Sequence, residues 1–133
     1  MKISDFGYAC RVMVVVMFFS SMASAITQIT DRSLGDEVTR SKLPVVMEFY
    51  ATWCGPCKVA APLVEEAEKR LKGKVKFVKL DVDESPRIGH LVREIPTIAY
   101  INPNKKDVYM TSGVRSADEI VKTATEQFNL KEK

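Results

Sequence analysis

Two cysteines, Cys54 and Cys57 in the run Trp53-Cys54-Gly55-Pro56-Cys57-Lys58, are the residues of this chain best suited by type and spacing to do chemistry. The attacking species in disulfide exchange is a thiolate, and an unperturbed thiol is mostly protonated at neutral pH. Its anion is stabilised where a strand hands over to a helix, because the first turn of a helix presents unpaired N–H groups and a partial positive charge. The apolar run Val45–Ala51, rich in β-branched and aromatic residues, leads straight into the pair and reads as a buried strand; a helical pattern follows. That places Cys54 at the first turn as the attacking thiol and Cys57 inside it as the resolving thiol, near enough for the sulfurs to meet.

Zinc is the competing use of such a pair. A tetrahedral site normally takes four Cys or His ligands. The chain has three cysteines and one histidine, His90, and no second C-x-x-C, so no metal is expected. A structural disulfide framework normally has more cysteines and longer loops, whereas a lone C-x-x-C is a good redox pair. His90 reads as a solvated or half-buried residue with no catalytic role. One further residue stands out: Glu48, a carboxylate within the apolar run. Burial there is costly and raises its pKa, unless the side chain reaches a solvent-facing edge.

The elements that must hold these residues alternate along the chain. Ile26–Ile29 reads as a short edge strand and Asp31–Ser41 as a helix, with Leu34 and Val38 at i, i+4 and an Asp or Ser to cap it. Pro62–Leu71 is helical, beginning as early as the cysteines if Pro62 is accommodated as a kink. Val75–Val82 is a strand, Ser85-Pro86 starts a helix to about Arg93, and Thr97–Ile101 and Val108–Thr111 form a hairpin across Asn102–Lys105. Ser116-Ala117-Asp118-Glu119 is a capping box that opens a last helix to about Phe128. The order β-α-β-α-β-α-β-β-α predicts a mixed sheet covered on both faces.

Residues 1–25 differ from the rest. Lys2 and Arg11 precede the apolar stretch Val12–Phe19, and Ala23-Ser24-Ala25 closes it: the pattern of a secretory signal peptide. The stretch from Val12 to Ile26 carries three serines and falls short of the roughly 20 apolar residues of a spanning helix, so cleavage is favoured over an uncleaved anchor. Cys10 would leave with the signal. Length, 46% hydrophobic and 28% charged residues describe one folded domain, and a net charge of +3 without charge blocks argues against a nucleic-acid partner.

The motif Trp53-Cys54-Gly55-Pro56-Cys57-Lys58 is similar to the active-site signature of the thioredoxin family. Phe49-Tyr50-Ala51, Pro62, Ile95-Pro96-Thr97 and Gly113 fit the same pattern, so the resemblance runs from about Ile26 to Phe128. It implies an α/β thioredoxin fold over residues 26–133, a central mixed five-stranded sheet flanked by four helices. It implies a cis peptide before Pro96, a bond type that almost only X–Pro tolerates. Ile95, Pro96 and Thr97 would then meet an extended substrate segment by strand addition, with Trp53, Gly55 and Pro56 shaping the apolar rim. Thioredoxins usually carry Asp where Glu48 stands, as a proton acceptor near the resolving cysteine, with a Lys corresponding to Lys79. The resemblance thus gives Glu48 and Lys79 catalytic roles, Glu48 taking the proton of Cys57. A departure lies in the Asn102–Asp107 turn, where many members have a glycine and this chain has Asn104-Lys105-Lys106.

The resemblance implies thiol–disulfide exchange with protein disulfides and no cofactor beyond the Cys54–Cys57 disulfide. The Gly-Pro dipeptide points to a protein-disulfide reductase; an exported oxidase or isomerase, or a non-redox binding module, are the alternatives. Thioredoxin-like and strongly oxidising pairs differ by about 150 mV, or roughly 7 kcal/mol. A reducing pair in an oxidising compartment, here the bacterial periplasm, needs an electron supply. The expected donor is a membrane thiol reductase, the expected substrates misoxidised or apocytochrome cysteines, and the expected state a monomer.

Overall fold

The computed structural model describes residues 26–131. The expected signal segment and Cys10 lie outside them. Five strands, β1 (Thr27–Ile29), β2 (Val45–Tyr50), β3 (Lys76–Asp81), β4 (Thr97–Asn102) and β5 (Asp107–Ser112), form one sheet in the order β1-β3-β2-β4-β5. β1 and β2 run parallel to β3, while β4 runs antiparallel to β2 and β5. Four helices flank the sheet: a π-helical turn at Gly35–Thr39, α1 (Gly55–Arg70), α2 (Pro86–Gly89) and α3 (Ala117–Phe128). The mixed five-stranded sheet and the number and order of its helices are as expected; the extents of two helices are not.

Strand alternation decides what each face buries. Val46, Phe77, Ile98 and Tyr100 pack against Val64 and Ala67 of α1 and Ile120, Ala124 and Phe128 of α3. Val45, Met47, Phe49, Val78 and Leu80 point the other way, against Val38, Leu34 and Ile88. Glu48 follows Val46 by two residues and Lys79 follows Phe77 by two. Both therefore fall on the α1 face, side by side in register. The Ser116–Glu119 capping box at the start of α3 is present as expected.

Two helices are shorter than their patterns suggested. Asp31–Ser41 is not one α-helix but a turn followed by the Gly35–Thr39 π-turn, with no side-chain cap. Asp31 is used elsewhere: its carboxylate accepts from the N–H groups of Arg87 (3.1 Å) and Ile88 (3.0 Å) at the start of α2. Helix α2 itself ends at Gly89 instead of Arg93. Gly89 lies against β3's exit, where a Cβ would sit 2.8 Å from the Val82 carbonyl oxygen; beyond it Leu91 is exposed while Val92 packs back against the core. Ser85 and Pro86 start α2 as expected, with Ser85 at the N-cap, but the Ser85 hydroxyl accepts from the N–H of Asp31 and not from a helix N–H. His90 is exposed at the end of α2, with Nδ1 2.8 Å from the Pro86 carbonyl oxygen.

The departure in the β4–β5 turn is conformational. Lys106 has φ 54°, in the left-handed region. That region costs an L-residue about 1–2 kcal/mol, and glycine recovers this less its larger unfolded-state entropy. Lys106→Gly is expected to stabilise the chain by about 0.5 kcal/mol in urea unfolding, and Lys106→Val to destabilise it.

Candidate active site

Strand β2 ends at Tyr50, and helix α1 begins at Gly55 with Cys54 as its N-cap in an extended conformation. Pro56 sits in the first turn, where a missing N–H costs nothing. Cys54 and Cys57 are joined by a disulfide. The N–H of Cys57 points at Cys54 Sγ, 3.2 Å away, so a helix-terminal donor is already aimed at that sulfur. Such a donor stabilises a thiolate at Cys54 and lowers the cost of forming it. Both cysteines are only 4% exposed, so burial does not tell them apart. Their surroundings do: Cys54 Sγ lies 3.9 Å from the Ile95 carbonyl oxygen, whereas Cys57, and not Cys54, lines a cavity.

The Ile95–Pro96 peptide is cis, as expected from the resemblance. Two fastenings hold its loop. The N–H of Gly113 donates to the Pro96 carbonyl oxygen at 2.8 Å, from a φ of +83° that glycine adopts without strain. The Thr97 hydroxyl donates to the Glu94 carbonyl oxygen at 2.8 Å and lies 3.1 Å from Ser112 Oγ. Pro96 and Thr97 are buried; Ile95 is half-buried beside Cys54.

Trp53 is 69% exposed, and Gly55 and Pro56 beside the disulfide are exposed as well. A Cβ on Gly55 would meet nothing within 4 Å, so that side of the disulfide is open. Val59 and Leu91 are also exposed. The indole Nε1–H of Trp53 donates to Asp83 Oδ2 at 2.7 Å, which orients the ring. Asp83 was missed in the sequence, where it is one of several acidic residues after β3; only the fold brings it to Trp53.

Behind Cys57 lies a cavity of about 340 Å³, lined by Glu48, Tyr50, Lys58, Ala61, Glu65 and Lys79 among others. Glu48 is 4% exposed, so it does not reach a solvent-facing edge, and its Oε1 has no hydrogen-bond partner among the described residues. Burial pushes the Glu48 carboxyl up to about 7; the Lys79 ammonium pulls it down and the Glu65 carboxylate adds to the rise. Lys79 Nζ lies 5.6 Å from the centre of the Tyr50 ring, a cation–π contact that holds it over the cavity. A cavity of this size with Glu48, Lys58, Glu65 and Lys79 on its wall has room for water, which can take a proton from Glu48. A carboxyl poised near neutral beside a thiol can accept its proton.

Residues 25–126 match the family model described as Thioredoxin. The chain is 48% identical over 82 residues to the thioredoxin of Rickettsia felis, an alignment that covers 59% of this chain and 78% of that one. It is 40% identical over 85 residues to thioredoxin 1 of Nostoc sp., covering 62% and 79%. Among solved structures it superposes on chloroplastic thioredoxin z with a TM-score of 0.70 at 29% identity, covering 79% of this chain and 96% of the other.

Proposed function

The chain belongs to the thioredoxin family, whose chemistry is thiol–disulfide exchange, and from that premise we propose that it is an exported reductase in which Cys54 attacks a protein disulfide and Cys57 resolves the product. The observation that carries the division of labour is the asymmetry around the disulfide. Cys54 has the helix-terminal donor and the cis-proline loop beside it, and Cys57 has the cavity of Glu48.

In the first step the Cys54 thiolate attacks one sulfur of the substrate disulfide. A mixed disulfide forms and the first substrate thiolate leaves, taking a proton from solvent. In the second, Cys57 Sγ–H gives its proton to the Glu48 carboxylate and the thiolate attacks Cys54 Sγ. The Cys54–Cys57 bond forms, the mixed disulfide breaks, and the second substrate sulfur departs with the electron pair and is protonated from solvent. Two electrons pass to the substrate, and Glu48 later releases its proton to cavity water. Lys79 restrains the rise of the Glu48 pKa, so that the acceptor stays partly ionised near neutral pH.

The substrate segment lies extended along the backbone of Ile95, with Trp53, Gly55 and Pro56 as its rim and with Pro96 and Thr97 fixing the loop it meets. The pattern of residues 1–25 supports export, with the bacterial periplasm as the compartment and a membrane thiol reductase as electron donor. The protein acts as a monomer on protein disulfides. No helix among the described residues is long and apolar enough to cross a membrane.

Equilibration of the Cys54–Cys57 pair against glutathione buffers tests the direction of electron flow. The expected potential is about −270 mV, the thioredoxin value. A value near −120 mV would replace the reductase with an oxidase.

A further inference from the structure

The cavity behind Cys57 contains a carboxylate that the exchange steps leave unused. Cys57, Ala61 and Glu65 stand at i, i+4 and i+8 on α1, one row along the helix, and all three line the cavity. Glu48 and Lys79 line it from the sheet. Glu48 is buried and Glu65 is exposed, and Ala61, the residue between Cys57 and Glu65 in that row, carries only a methyl group. The titratable and charged groups on this cavity are Glu48 and Tyr50 from β2, Lys79 from β3, and Cys57, Lys58 and Glu65 from α1.

We propose that Glu65 is a positioning residue for the resolving step: the outer member of a carboxylate pair, whose charge across the cavity favours the Cys57 proton residing on Glu48. The inference rests on Glu48 being the proton acceptor. Two carboxylates that share one space resist ionising together, and the inner one gives way because it is the less hydrated. The rise that Glu65 imposes on Glu48 has this sign. Lys79, held over Tyr50, acts in the opposite sense, so the sheet lysine and the helix glutamate set the Glu48 proton affinity between them.

The test follows Glu48 itself, by carbon-13 NMR titration of its carboxyl in the oxidised full-length chain at low salt. Glu65→Gln is expected to lower the Glu48 midpoint by about half a unit and Glu65→Lys by about one unit, both shrinking at high salt. Glu66→Gln removes an exposed charge on the same helix that does not line the cavity, and is expected to leave the midpoint in place. The pH profile of the resolving step, followed by rapid mixing in the reduced chain, should move down with the midpoint. An unmoved Glu48 midpoint in Glu65→Gln, or an equal shift in Glu66→Gln, overturns the pairing and leaves Glu48 as acceptor. A midpoint that moves while the rate profile stays fixed shows instead that Glu48 is not the acceptor, and the inference falls with that reading.

Discussion

In the oxidised protein, Glu48→Gln is expected to raise stability at pH 8 by about 2–3 kcal/mol and to change it by well under half as much at pH 5. The sign follows from where the carboxyl titrates. Its ordinary value is 4.5, and burial in β2 raises it to about 7. Below pH 4.5 the group is protonated in folded and unfolded chains alike, and burial carries no ionic penalty. Between 4.5 and 7 the unfolded chain ionises while the folded one keeps its proton, so stability falls as pH rises. Above 7 the folded chain holds a buried carboxylate at full cost, about 3 kcal/mol for a shift of this size. Glutamine keeps the volume and removes the charge. Urea unfolding at the two pH values measures the effect, and a difference independent of pH would show that ionisation is not its source. The same substitution is expected to slow resolution at neutral pH by at least about tenfold and to flatten its pH dependence, because the proton of Cys57 loses its acceptor.

Cys57→Ser is expected to reduce turnover on a protein disulfide by on the order of 10³-fold or more, while leaving the first attack intact. A serine at position 57 cannot cleave the mixed disulfide, so each molecule stops after one bond exchange. Cys54→Ser is expected to lose turnover to the same degree for a different reason, since no thiolate then sits under the Cys57 N–H at the helix terminus. Stopped-flow reduction of a fluorescent disulfide substrate separates the two. Cys57→Ser gives a single stoichiometric burst and Cys54→Ser gives none.

The frame that holds this site was legible because its signals are local. The continuous apolar run of β2, the capping box of α3 and the turn residues between β4 and β5 each act over a few residues, and all three elements stand where the pattern put them. The cis Ile95–Pro96 bond was legible only through family resemblance, since a lone proline reads equally well as an ordinary turn. Where the reading failed, a side chain had been taken from its local task by a distant one. Asp31 caps α2, some fifty-five residues on, and so leaves its own segment without a cap. Gly89 packs so closely against Val82 that no side chain fits there, a contact that no local pattern shows. Glu48 was visible as an anomaly in an apolar run, but the cavity that makes it useful joins β2, β3 and α1 and has no signature in any one of them. Asp83 and Glu65 were invisible for the same reason: each is an unremarkable acidic residue until the fold places it beside Trp53 or across from Glu48.

The most direct test of the central claim is to incubate reduced Cys57→Ser protein with a protein disulfide, isolate the adduct without reductant, and map its linkage by mass spectrometry. One covalent adduct through Cys54 Sγ is expected, released by dithiothreitol and not formed by a Cys54→Ser, Cys57→Ser chain. No adduct at Cys54, together with full biological activity of that double variant, would contradict it.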